Sequence, residues 1–170
     1  MNKISTVVLF ALLAFASVTC GTVSFNMSGA SIGNAKTCQV VFFENRADIV
    51  IPSLSAQVTD ALKDKIQSSS SLRLVNSNAD VTFEGVITGF DTQAQQLAAQ
   101  TGKPAEDRLV VTVKVKFTNM LDEDKNYDKS FSRFRQAATG SIRGSVQDQL
   151  VEFILEELME DIYNEAFASW

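Results

Sequence analysis

The chain contains no histidine among its 170 residues. That absence excludes Ser-His-Asp and Cys-His triads, histidine general bases and histidine metal ligands together. Two cysteines are too few for a zinc site or a disulfide-dense scaffold. Two prolines and eight glycines exclude a collagen-like or linker-like chain. Basic residues are also scarce: fifteen Lys and Arg stand against twenty Asp and Glu, a net charge of -5. A general nucleic-acid binder carries the opposite balance, so that class is set aside. No glycine-rich phosphate loop and no S-x-x-K helix start is present. What the chain does have is hydrophobic residues, at 45%, enough to bury one core in one domain.

The first residues, MNKISTVVLFALLAFASVTC, place Lys3 before an apolar run from Val7 to Phe15. Nine helical residues span only about 14 Å, against about 30 Å for a bilayer core. Residues 1–19 therefore read as an export signal rather than a membrane anchor. Two processing routes fit. In one, cleavage precedes Cys20, which is acylated, and 20–35 becomes a tether; Thr19 and Ser17 depart from the usual residues before such a cysteine. In the other, Ala14-Phe15-Ala16 is the cleavage site, and Cys20 survives to pair with Cys38 in an oxidising periplasm. Acylation at more than one point matters because a single chain holds a protein to a membrane only marginally. In the lipidated case Cys38, within QVVFF-flanked strand sequence, reads as a buried, inert thiol.

Residues 36–170 read as the folded domain. KTCQVVFF (36–43) is rich in β-branched and aromatic residues and predicts a strand, broken by 44–48. Pro52 and Ser53 open a helix whose apolar residues Leu54, Val58, Ala61, Leu62 and Ile66 recur at helical spacing, ending in the serines 68–71. Leu72–Val75 predicts a short extra strand. ADVTFEGVITGF (79–90) alternates, with Val81, Phe83 and Ile87 on one face. RLVVTVKVKFTN (108–119) alternates most strictly, with Leu109, Val111, Val113, Val115 and Phe117 on one face and Arg108, Thr112, Lys114, Lys116 and Thr118 on the other. The polar stretch 91–107 predicts a long loop with a short helix near 93–99; 122–126 predicts a charged turn, and 127–134 another strand. The last element is a helix over 145–168, with Ser145 and Asp148 as a capping pair. Its stripe is Val146, Leu150, Ile154, Leu158 and Ile162, widened by Val151, Phe153, Leu155 and Phe167. The expected fold is α+β, a two-layer sandwich in the order β-α-β-β-β-α: a small mixed sheet of about four strands covered on one face by two helices.

FNMSGASI (25–32), the helix ending ALKDKIQ, FEGVITGF, RLVVTVKVKFTN and KSFSRF occur in an order that resembles the LptE family. The resemblance covers almost all of Cys20 to Trp170 and rests on the collinear set rather than on one motif. It implies an outer-membrane lipoprotein on the periplasmic face, lipid-anchored through Cys20. Such a protein plugs and helps assemble the large β-barrel LptD for transport of lipopolysaccharide to the outer leaflet. It implies no enzymatic activity, no cofactor and no nucleic-acid partner. A different binding module, a periplasmic lipoprotein that scaffolds or activates another envelope protein, fits the same composition.

Candidate contact residues follow from charge. Arg108, Lys114 and Lys116 share one strand face, suited to lipid A phosphates or to acidic groups of a barrel wall. The plainer reading is a solvated face with Glu84 as a cross-strand partner. Arg133 and Arg135 extend that surface if the two strands are neighbours. Glu156 and Glu160, one turn apart, have the spacing of a metal pair, but they sit among many like charges and read as a solvated helix face; no metal site is expected.

Overall fold

The computed structural model describes residues 32–94 and 106–168. The expected signal segment, Cys20 and the tether up to residue 31 lie outside them. Eight helical or sheet elements follow in order: β1 (Thr37–Val40), β2 (Glu44–Asn45), α1 (Leu54–Ser69), β3 (Arg73–Leu74), β4 (Val81–Ala94), β5 (Glu106–Asn119), β6 (Tyr127–Ala138) and α2 (Gly144–Phe167). A short 3-10 turn, Glu123–Lys125, separates β5 from β6.

Strict alternation produces the sheet. Leu109, Val111, Val113, Val115 and Phe117 are all buried, so one face of β5 carries the core along its whole length. Antiparallel pairing of β4 and β6 on either side of β5 puts residues directly opposite one another on the same face. In β4 the register shifts between Ile87 and Gly89. This bulge moves the inward residues from odd to even numbers, which is why Phe90 is buried like Val81, Phe83 and Ile87. β1 runs parallel to both β3 and β4, and β2 continues along β4 beyond β1, so the sheet is mixed.

The sheet has six strands rather than about four, and the two added ones explain the difference. β3, Arg73–Leu74, is the short extra strand expected within Leu72–Val75; β2 is two residues long, too short for any alternation to mark. Residues 44 and 45, expected only to break the first strand, pair with Val86 and Ile87. At 91–94 the chain continues as strand where a helix was expected from 93, because Asp91–Ala94 pair with Asp107–Val110.

Both helices cover the inward face. α1 buries Leu54, Val58, Leu62 and Ile66, as its spacing requires, and Thr59 too. The Thr59 hydroxyl donates to the Ser55 carbonyl at 2.7 Å and accepts from the Phe43 N–H at 3.1 Å, so this buried polar group is satisfied. α2 buries Ile154, Leu158 and Ile162 completely, one per turn. Truncating any of these to alanine would cost about 2–5 kcal/mol. Gly85 leaves room for the Phe43 ring, since a Cβ there would lie 2.3 Å from Phe43 Cε1.

Two expectations for α2 fail. Val146 and Phe153 are exposed. The sheet is wide enough to cover only one side of a 24-residue helix, and Phe153 points about 100° away from its buried neighbour Ile154. Ser145 is not the cap either: the helix begins at Gly144, with φ +52°, and no side chain caps it.

Candidate interaction surface

The two faces of β5 and β6 carry different sets of charges. Arg108, Lys114 and Lys116 lie on the outer face, away from the helices, as their alternation with buried residues predicts. Lys116 sits opposite Glu84 on one side and Asp128 on the other. It reaches Glu84 at 3.2 Å, the cross-strand partner expected, and Lys114 reaches Asp128 at 3.0 Å. Nearby, Arg46 pairs with Glu44 at 2.8 Å. The Arg108 guanidinium stacks on the Phe134 ring, 3.9 Å from its centroid. A shallow depression of about 310 Å³ lies on this face, lined by Phe42, Arg46, Glu84, Val86, Lys114 and Lys116 among others. The face is therefore a lattice of paired charges interrupted by exposed aromatic rings at Phe42 and Phe134, not an unbroken basic patch.

Arg133 and Arg135 do not extend it. They stand opposite Val111 and Leu109, which are core residues, so both arginines project to the helix side of the sheet. There Arg133 makes a two-pronged pair with Asp161 at 2.6 and 2.7 Å, and Arg135 another with Glu157 at 2.6 and 2.9 Å. Lys129 pairs with Glu165 in the same row. The acids at 157, 161 and 165 are one helical turn apart, and the cations descend β6 past them, so three ion pairs fasten α2 to the edge strand. The Asp161 carboxylate raises the Arg133 pKa further above its already high ordinary value.

Glu160 turns instead toward α1, where it pairs with Lys65 and accepts from Asn164. The Lys65 contact lowers its pKa below the ordinary carboxylate value. Glu160 is thus held by Lys65 and Asn164, and no cluster of three potential metal ligands occurs among the described residues. A groove of about 660 Å³ between the helices is lined by Lys65, Arg135, Glu156, Glu157 and Glu160, groups mostly engaged with one another.

Cys38 is fully buried, and desolvation pushes its thiol up to about 12, far from a reactive thiolate. Asp80 anchors the start of β1: its Oδ2 accepts from the Lys36 and Thr37 N–H groups at 2.8 and 2.9 Å and from the Thr37 hydroxyl at 2.9 Å. These bonds, led by the one from Lys36, hold the carboxyl below its ordinary value. Neither Phe134 nor Asp128 is among the candidates that charge alone picks out of the sequence. Both are readable from the even-numbered positions of 127–138, once the odd ones are assigned to the core side.

A profile of lipopolysaccharide-assembly proteins, LptE, matches residues 35–166, which is most of the chain and nearly all of the folded domain. The chain belongs to the LptE family. LptE proteins are lipopolysaccharide-assembly lipoproteins of the cell envelope and not enzymes. No curated protein sequence matches at a significant level. Among solved structures, a hypothetical protein from Chlamydia trachomatis is similar over 79% of this chain and 99% of its own, with a TM-score of 0.58 and 9% identity. A protein from Xanthomonas campestris covers 76% of this chain and 82% of its own, with a TM-score of 0.52 and 8% identity. A minor lipoprotein from Acinetobacter baumannii covers 77% and 91%, with a TM-score of 0.50 and 16% identity. These likenesses establish the fold of two helices on a mixed sheet and nothing further.

Proposed function

We propose that this LptE protein is an outer-membrane lipoprotein, acylated on Cys20 and facing the periplasm, that sits within the LptD β-barrel. There it helps the barrel assemble and deliver lipopolysaccharide to the outer leaflet. The observation that carries the reading is the outer sheet face. Its cations meet carboxylates at 3.0 and 3.2 Å, and beside them lie hydroxyls such as the Thr112–Ser132 pair at 2.9 Å. A large barrel's interior is polar and water-filled. A surface that brings its own charge partners enters such a space without leaving buried ions uncompensated. Recognition then works by exchange: Lys114 and Lys116 trade Asp128 and Glu84 for acidic groups of the barrel wall or for lipid A phosphates, and Arg108 with Phe134 gives an amphipathic contact. Arg133 and Arg135 hold α2 and take no part in this contact.

The test is recovery of the tagged chain from detergent-solubilised native membranes, with mass spectrometry of bait and co-purified protein. Stoichiometric LptD and an acylated Cys20 are the expected result. A bait that elutes alone, unlipidated and beginning near Ser17, would overturn the proposal.

A further inference from the structure

Exposed large apolar side chains are scattered over the domain, but one adjacent pair stands where the chain enters it. Met120, at 70% the most exposed of those described, and Leu121, at 55%, form the tip between β5 and the 3-10 turn. The tip is rigidly held. Met120 N–H donates to the Asp80 carbonyl at 2.9 Å. The Asn119 side chain accepts from Leu121 and Asp122 at 2.9 and 3.1 Å, and the Asn119 N–H donates to the Asn126 side chain at 2.6 Å. Two apolar groups are thus presented to the outside by a buried asparagine rather than folded back on the core.

Asp80 also receives the incoming chain, through Lys36 and Thr37. One residue therefore joins the entry of the N-terminal segment to the Met120–Leu121 tip. The remaining geometry is set by lengths. Twelve Cα–Cα steps separate Cys20 from Ile32, a reach of at most about 43 Å fully extended and about 20 Å as a flexible chain. β4 and β5, fourteen residues each, run about 46 Å from this end of the domain to the other. A membrane-held Cys20 can bring the entry end to the lipid easily; the opposite end, where Ala94, Glu106 and Ala138 lie, is beyond its extended reach, and Ile49 and Val50, which follow the pairing of Asn45 with Ile87, lie about midway.

We propose that the Met120–Leu121 tip is a membrane-contact site, seated shallowly in the lipid surface that carries the acyl chains. The proposal rests on acylation of Cys20. Acyl chains and tip together give two points of attachment, which fix the orientation of the domain as well as its location. The neighbouring Asp122, Glu123 and Asp124 keep the contact at headgroup depth and suit zwitterionic rather than anionic lipid.

The test uses the full mature chain from Cys20, in vesicles of brominated phosphatidylcholine. The one native tryptophan is removed as Trp170→Phe, and a reporter is placed as Leu121→Trp, Met120→Trp or, at the far end just past Ala138, Thr139→Trp. The native acylated chain is used for one series. In another, unacylated chain is coupled through Cys20 to a maleimide lipid; Cys38 is buried and does not compete. Either tip reporter is expected to lose about half its fluorescence to the bromolipid, and the Thr139→Trp reporter almost none. Equal quenching at both ends, or none at the tip, overturns the proposal. Intact mass of the native protein reads the other premise: an unacylated Cys20 removes the anchor, whereas an acylated chain with an unquenched tip removes only the contact site.

Discussion

The two faces of strands β5 and β6 use the same amino acids for opposite ends. On the helix side, Lys129, Arg133 and Arg135 reach acids on α2 and become part of the scaffold. On the outer side, Lys114 and Lys116 reach acids on neighbouring strands and remain surface. Nothing about the residue types separates these sets; the parity of their positions does. A lysine one residue along a strand is a different kind of residue, because the pleat sends it to the other side of the sheet.

The comparison breaks most severely if a charge is moved across it. Val113→Lys puts an ammonium into the core and should lose at least about 3 kcal/mol of stability in urea denaturation. Thr112→Lys, its neighbour on the outer face, gives up one exposed hydroxyl pair and should lose less than about 1 kcal/mol. Comparable losses for both would contradict the assignment of faces.

A smaller effect sharpens it. Arg133→Gln with Arg135→Gln removes two forked but partly exposed ion pairs, worth together about 1–2 kcal/mol, and the loss should shrink as salt is added. Lys114→Gln with Lys116→Gln removes two single, exposed pairs and should change the stability in urea by less than about 0.5 kcal/mol, while weakening recovery of the barrel partner. If the β6 pair proved neutral and the β5 pair costly, the roles given to the two faces would be reversed.

Acid acts at the end of β1. The Asp80 pKa is held below its ordinary 3.8 by bonds from Lys36 and Thr37. Its contribution is complete above that ordinary value and is lost as pH falls through the lower folded one, where the carboxylate takes up a proton. Asp80→Asn should therefore flatten the acid limb of a stability–pH curve and speed amide exchange at Thr37. The mildest expectation concerns Cys38: with its thiol pushed up to about 12, it should resist iodoacetamide near neutral pH in the native protein and react once urea unfolds it.

Much of this arrangement is legible in the residues. The buried row Leu109 to Phe117, the α1 stripe and the layering of two helices on one face all follow from periodicity, because each element is long enough to repeat its pattern. β2 is two residues long and carries no pattern, whereas β3 falls within the short strand expected at Leu72–Val75. The position of Arg133 and Arg135 is readable in principle, since Tyr127 and Phe131 share their parity and pack toward the core, but it requires fixing the face of β6 before judging its charges. Val146 and Phe153 are misplaced for a different reason: helical spacing gives a stripe but not its width, which depends on how much sheet lies beneath. Partner contacts are least legible. Whether Lys116 is a ligand-seeking charge or half of a pair depends on Glu84, thirty-two residues away in sequence.

The central claim is that the outer sheet face, and not the helix face, meets the barrel. Site-specific photo-crosslinking in cells tests it most directly, with the crosslinker placed at Lys116 or Phe134 on one face and at Glu156 on the other. An adduct with LptD is expected from the two outer-face positions and none from Glu156. Adducts from Glu156 alone, or from no position, would contradict the claim.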